Sequence, residues 1–248
     1  MESYKNFASV YDMFMDNIDY HLWSNYIIEL LNQHGIAKGP VLELGCGTGT
    51  FTELLADSGY EMIGLDNSAE MLSIAADKKA ETGHDILYIW QDMRKFQLHG
   101  SVRAIVSVCD SLNYIVTEAD LLKVFKRVNK YLDVNGVFIF DLNTIYKYQE
   151  VLGDNTFAES REEGSFIWEN FYDEEKQINE YDLTLFTLTA GDLYQKSEET
   201  HYQRAYEVVV VKDLLKQAGL EVLNIYDAFT FDVPQKDSER ICIVARKS

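Results

Sequence analysis

Three glycines, Gly45, Gly47 and Gly49, follow the apolar run "VLEL", and that run carries one acid, Glu43. Two further acids, Asp66 and Asp92, end the later runs "YEMIGLD" and "ILYIWQD". Glycines placed just after a strand let a ligand come close to the backbone. A carboxylate at the end of the next strand can accept hydrogen bonds from the two vicinal hydroxyls of a ribose. Spacing narrows the ligand. A dinucleotide fingerprint wants glycine at positions one, three and six. Counted from Gly45, position six is Thr50, and the third glycine, Gly49, falls at position five. The pyrophosphate reading is weakened. No Gly-Lys-Ser/Thr follows, so the phosphate-loop pattern fails too.

The elements that must position these residues are readable from periodicity. Apolar residues spaced for one face predict a helix over Leu22–Gln33. "PVLELG" reads as a buried strand, Phe51–Ser58 as a helix closed by Gly59, and 60–66 as a second strand. Ser68 is a capping residue for a helix running to about Thr82. "DILYIWQD" and "VRAIVSVCD" are strands, "LLKVFKRVNKYL" is a helix and "VFIFDLN" a strand. This alternation predicts βαβ units and a parallel sheet. After Asn143 the texture changes. Residues 157–206 hold extended stretches rich in aromatic and β-branched residues, with a turn signal at Ala190-Gly191-Asp192. They read as an antiparallel patch inserted into an α/β frame. The helix "VKDLLKQAG" and the strands "LEVLNIYDAF" and "ERICIVARK" then finish the sheet as a hairpin turning through Pro234.

The segment Glu43-Leu44-Gly45-Cys46-Gly47-Thr48-Gly49 resembles the first motif of the class I S-adenosylmethionine-dependent methyltransferases, in particular small bacterial members acting on small molecules. The resemblance extends over nearly the whole chain. It implies a Rossmann-like α/β fold with a seven-stranded, mostly parallel sheet ordered 3-2-1-4-5-7-6, strand 7 antiparallel, and an inserted antiparallel β subdomain. Three parts are expected: 1–143 (lid and cofactor-binding part), 144–206 (acceptor-side insert) and 207–248 (completion of the sheet). The implied cofactor is S-adenosylmethionine, its methionine part packed on Gly45, Cys46, Gly47 and Gly49 with Glu43 supporting that region. Asp66 takes the ribose with Asn67 beside it, Met71 lies near the adenine, and Asp92 and Met93 meet the adenine edge. Cys109 and Asp110 lie at the methionine end, Asn113 and Tyr114 on the methyl-transfer side. Tyr11 contacts the cofactor carboxylate, and Tyr4, Phe7 and Tyr20 help close the site.

For the acceptor side the resemblance implies that His201 and Arg204 point into the pocket. His201 suits a base, because its ordinary pKa lies near neutrality, or it simply pairs with a local glutamate. Arg204 binds an acceptor carboxylate or merely offsets acidic surface. His201 and Tyr114 are the candidate catalytic contacts, with Trp168 and Arg204 as further acceptor contacts. The aromatic residues Trp168, Phe171, Tyr172, Tyr181 and Phe186 read as sheet packing before they read as a cage for a cation.

The 248 residues carry 22 basic against 41 acidic side chains, a net charge of -19. Such a chain repels phosphate backbones and anionic membranes, which argues against nucleic acid and membrane as partners; the small-molecule acceptor is what the resemblance implies. Protein partners cannot be read from the sequence. Cys46, Cys109 and Cys242 are odd in number and have no metal-ligand spacing. No signal peptide is visible, and a reducing, cytoplasmic setting is expected. Two other readings stand beside methyl transfer: an NAD-dependent oxidoreductase, which explains Asp66 but not Gly49 or Asp92, and a non-catalytic cofactor-binding protein.

Overall fold

The computed structural model describes residues 7–189 and 191–247. A seven-stranded sheet forms the frame. Its strands are β1 (Gly39–Leu44), β2 (Tyr60–Asp66), β3 (Leu87–Trp90), β4 (Val102–Ser107), β5 (Leu132–Asn143), β10 (Leu220–Asp227) and β11 (Arg240–Lys247). They lie in the order β10-β11-β5-β4-β1-β2-β3. Strands β1 to β5 pair in parallel, while β11 runs antiparallel to β5 and to β10. With β10 and β11 counted as sixth and seventh, this is the 3-2-1-4-5-7-6 order expected from the sequence. β5 lies between β4 and β11, which is why the stretch 136–143 is buried throughout.

Helices cover both faces. α2 (Tyr20–Gln33) starts two residues earlier than its periodicity predicts, because Asp19 accepts from the Leu22 N–H at 2.9 Å. It buries Trp23, Tyr26, Ile27, Leu30 and Leu31 on the same face of the sheet as α3 (Thr50–Asp57). α5 (Glu118–Tyr131) and α6 (Val208–Gln217) cover the other face. On α5, Leu121, Val124, Phe125 and Val128 follow the helical repeat and are fully buried. Thr117 caps α5, and Glu118 and Asp120 sit in its first turn, where the helix dipole favours acids. α4 (Ala69–Thr82) packs on β2, β3 and α3. Its start is fixed by Ser68, whose Oγ accepts from the Met71 N–H at 3.2 Å.

The insert is a four-stranded antiparallel sheet of β6 (Thr156–Ser160), β7 (Gly164–Asp173), β8 (Ile178–Leu188) and β9 (Tyr194–Arg204). A π-helical turn over Lys147–Leu152 leads into it. Of the expected turn at 190–192, Ala190 lies outside the described residues. The short helix α1 (Ala8–Phe14) lies against this sheet. Val10 and Phe14 pack on Leu183 and Leu185. Arg161, between β6 and β7, reaches both Asp16 carboxylate oxygens at 2.7 and 2.8 Å. On its other side α1 is tied to the glycine turn: Asp12 accepts from the Thr48 hydroxyl at 2.6 Å and pairs with Lys78 of α4.

One close approach holds the frame near the glycine turn. Across β1, β2 and β3, Glu43, Gly64 and Tyr88 are in register. A Cβ on Gly64 would stand 2.6 Å from the Tyr88 ring and 3.0 Å from Cys46 Sγ. The absent side chain lets Tyr88 lie across β2, with its hydroxyl donated to Glu53 at 3.3 Å. Gly64→Ala is expected to overpack this point by about 2 kcal/mol and to lower the thermal midpoint by about 5 °C. A midpoint within about 1 °C of wild type would show that the ring is not held there.

Candidate functional site

The carboxyl ends of the parallel strands open onto a cavity of about 640 Å³. Ligands of open α/β sheets bind at this edge, where the strand order reverses, and here the reversal lies between β1 and β4. Of the residues singled out in the sequence, Tyr11, Tyr20, Glu43, Gly45, Cys46, Gly47, Asp66, Asn67, Met71, Asp92, Met93, Cys109 and Tyr114 line it. Tyr4 lies outside the described residues. Gly49, Asp110, Trp168, His201 and Arg204 are not among the lining residues, and each has a physical reason.

The glycine turn is pinned from β2. Gly45 and Cys46 donate their N–H groups to the Leu65 carbonyl at 2.7 and 3.0 Å. Gly47 donates its N–H to Asp66 Oδ2 at 2.9 Å, and Ser68 donates to Asp66 Oδ1 at 2.8 Å. Burial pushes the Asp66 carboxyl up, against the pull of these N–H groups. All three glycines have positive φ, but only Gly47 would place a Cβ in open space. Gly49 is different: its Cβ would strike the Tyr88 hydroxyl and Ala75. Its small size admits Tyr88, not a ligand.

Glu43 is buried and accepts from the Thr52 hydroxyl. Burial pushes its carboxyl up to about 8, the Thr52 hydrogen bond pulls it back, and the nearby Asp66 charge adds to the rise. Cys46 and Cys109 face the cavity, and burial holds both thiols well above their ordinary range. Neither supplies a thiolate nucleophile. Asp92 is held by Arg94, which reaches its carboxylate through Nε and Nη2 at 2.6–3.0 Å. Partial burial pushes the Asp92 carboxyl up, but Arg94 and its backbone N–H pull it further down, below its ordinary value.

Cys109 and Asp110 both take left-handed backbone angles, with φ of 58° and 52°. That turn sends Asp110 away from the cavity. Its carboxylate meets Arg240 at 2.8 Å and Gln203 at 2.6 Å, and its N–H donates to Asp141. Arg240 also binds Asp141 and lies over the Trp23 ring. Burial opposes its charge, and the two carboxylates keep it protonated. Asn113 is likewise structural. It donates to the Arg204 carbonyl at 2.8 Å and accepts from the Asn143 N–H at 3.0 Å. The Arg204 guanidinium turns toward the start of α5, binding Glu118 at 2.9 Å. Trp168 stands edge-on to Tyr181 and against Phe157 within the insert.

His201 is buried, and its Nδ1 lies 3.2 Å from the Tyr114 hydroxyl. Its ring stacks flat on Tyr181, its cross-strand partner, at 4.8 Å. Its Nε2 lies 3.3 Å from Glu199. Sequence reasoning missed Glu199, although residues two apart on a strand share a face. It also missed Thr48, Thr50, Trp90, Arg94, Ser111, Ile115, Val116, Thr200 and Tyr202, all of which line the cavity. Thr48 and Thr50 interleave with glycines already singled out. The others arrive from separate strands and loops and leave no local signal.

Three comparisons bear on this geometry. Residues 41–136 match the family described as a methyltransferase domain. The YqeM protein of Bacillus subtilis (strain 168) is 37% identical over 99% of this chain and 97% of its own length. The crystal structure of an S-adenosylmethionine-dependent methyltransferase from Clostridium acetobutylicum ATCC 824 is 33% identical, with 98% of each chain covered and a TM-score of 0.89. A dTDP-3-amino-3,6-dideoxy-alpha-D-glucopyranose N,N-dimethyltransferase from Streptomyces fradiae is 28% identical over 50% of this chain and 47% of its own. No helix among the described residues is long and apolar enough to cross a membrane.

The raised carboxyl of Glu43 has a consequence for stability. A carboxyl whose folded pKa lies above its unfolded one stabilises the fold fully below the unfolded value, and that contribution is lost as pH rises toward the folded value. The window runs from the ordinary 4.5 to about 8. Denaturant unfolding of wild type and Glu43→Gln at pH 5 and pH 9 is therefore expected to show wild type losing roughly 3 kcal/mol relative to the variant. A pH-independent difference would mean that Glu43 is ionised throughout.

Proposed function

The chain belongs to the class I S-adenosylmethionine-dependent methyltransferases, and from that premise we propose that it methylates a small acceptor through a nitrogen nucleophile, by in-line displacement. The residues at the cavity fit the cofactor. Gly47 leaves open space where a side chain would stand, and Asp66 is set beside it at the end of β2. In this reading Asp66 takes the ribose, Asp92 and Met93 the adenine edge, and Tyr11 and Cys109 the methionine end. When bound, S-adenosylmethionine supplies an already activated sulfonium methyl. The protein is left to align the acceptor and exclude water. α1 does the second task, bridged to the glycine turn by Asp12 and to the insert by Arg161.

The observation that carries the acceptor class is the charge of the lining. Among the described lining residues Arg94 is the lone cation, and it is committed to Asp92 and Asp120. An acceptor whose reacting part bears a carboxylate or phosphate would find no basic side chain to pair with among the described lining residues. Tyr11, Tyr20, Tyr114, Thr200 and Tyr202 instead offer hydroxyls, which suit an amine or a neutral polar molecule. The amino-sugar N,N-dimethyltransferase among the relatives supports the same class.

Titration calorimetry with S-adenosylhomocysteine is expected to show binding that NADH does not, weakened about 10- to 100-fold in Asp66→Ala through loss of charge-assisted hydrogen bonds. S-adenosylhomocysteine release is then followed with small amines that carry no acid group and with a dTDP-linked 3-amino sugar, whose phosphates lie away from its amine, beside phenol and carboxylate acceptors. Turnover confined to phenols or carboxylates would overturn the nitrogen assignment. Binding of NADH alone would overturn the cofactor.

A further inference from the structure

We propose that Glu199, His201 and Tyr114 form a buried proton relay, in which Tyr114 takes the acceptor's proton and hands its own to His201. This rests on the methyl-transfer reading above and deepens it. Tyr114 lines the cavity, while His201, its side chain fully buried, does not. The phenol oxygen lies 3.2 Å from His201 Nδ1, and His201 Nε2 lies 3.3 Å from Glu199 Oε2. The other Glu199 oxygen accepts from the Phe7 N–H at 3.2 Å. We assign the imidazole proton to Nε2, on the side of the Glu199 carboxyl 3.3 Å away, which leaves Nδ1 as the lone-pair nitrogen facing the Tyr114 hydroxyl.

The imidazole is also held in place. It lies flat on Tyr181, with ring planes 6° apart, and Trp168 props Tyr181 from the next strand. The Tyr181 hydroxyl meets the Tyr114 hydroxyl as well, so two side chains meet that one oxygen. Glu199 and His201 share one face of β9, and the two positions are not interchangeable with their neighbours.

The step balances. As the nitrogen lone pair bonds the methyl carbon, the carbon–sulfur bond breaks and its electron pair stays on sulfur. The product nitrogen is then positively charged. Its N–H proton passes to the Tyr114 oxygen while the Tyr114 O–H proton passes to His201 Nδ1. Tyr114 ends neutral, and the imidazolium so formed is flanked by the Glu199 carboxylate. Tyr114 is the group that touches the acceptor. His201 and Glu199 act through it.

The test needs no acceptor. Sinefungin carries an amine where the cofactor has its sulfonium methyl, so it sets an N–H beside the transfer point. S-adenosylhomocysteine lacks that group. Long-range proton–nitrogen spectra of histidine-labelled full-length protein report the tautomer, with the His201 signals identified by their loss in His201→Gln. The expected result is a protonated Nε2 and an unprotonated Nδ1. The Nδ1 resonance should move toward the protonated range with sinefungin and stay put with S-adenosylhomocysteine. In Tyr114→Phe the response to sinefungin should vanish although sinefungin still binds, and in Glu199→Gln the single tautomer should give way to a mixture. A proton on Nδ1 in wild type, or an unchanged response in Tyr114→Phe, would overturn the relay. Failure of S-adenosylhomocysteine to bind at all would overturn the proposed function itself, and the relay's role with it. The wrong tautomer in a protein that does bind it overturns the relay alone.

Discussion

The hydrogen bond from the Gly47 N–H to the Asp66 carboxylate joins residues 19 apart in the chain, and the cofactor end of the cavity is organised around it. One oxygen holds the glycine turn. The other accepts from Ser68, whose own hydroxyl caps α4. A single carboxylate therefore sets the turn after β1, the end of β2 and the start of the next helix. Partly buried acids are costly unless hydrogen-bonded, and these N–H groups offset that cost. Any ligand that also binds Asp66 adds to an arrangement already formed, which is what preorganisation means in physical terms.

The insert is organised by a second constraint, the period of two along β9. Glu199, His201 and Gln203 face the α/β frame, and each finds a polar partner there. Glu199 takes the Phe7 N–H of the lid, His201 meets Tyr114, and Gln203 donates to Asp110 while accepting from Tyr148. These polar contacts make the seating of the insert specific, because a one-residue slip would bury three unpaired groups at once.

Buried charge is concentrated in the same region. Arg240 sits between Asp110 and Asp141 under the left-handed turn at 109–110, and its position depends on β11 running antiparallel to β5. The start of an antiparallel strand thereby meets the ends of parallel ones, bringing a guanidinium to an edge otherwise rich in acids. Removing Arg240 would leave both carboxylates without their cation, the costly case.

Much of this was legible in the chain itself. The alternation of strand and helix determined the sheet, because hydrophobic period and capping residues are local signals, and Ser68 caps α4 where its type predicts. The spacing of Gly45, Gly47 and Gly49 with Asp66 and Asp92 pointed to the cofactor end for the same reason, since those residues lie at the ends of consecutive strands. Direction was harder to read. Gly49 serves Tyr88, Asp110 turns to Arg240, and Arg204 reaches back to Glu118, each because a partner far along the chain decides which way the residue faces. His201 could be singled out by type. That it stands behind Tyr114 and beside Glu199 follows only when β9 is laid beside the loop after β4, residues 87 apart, for a pairing at that separation leaves no trace in local composition.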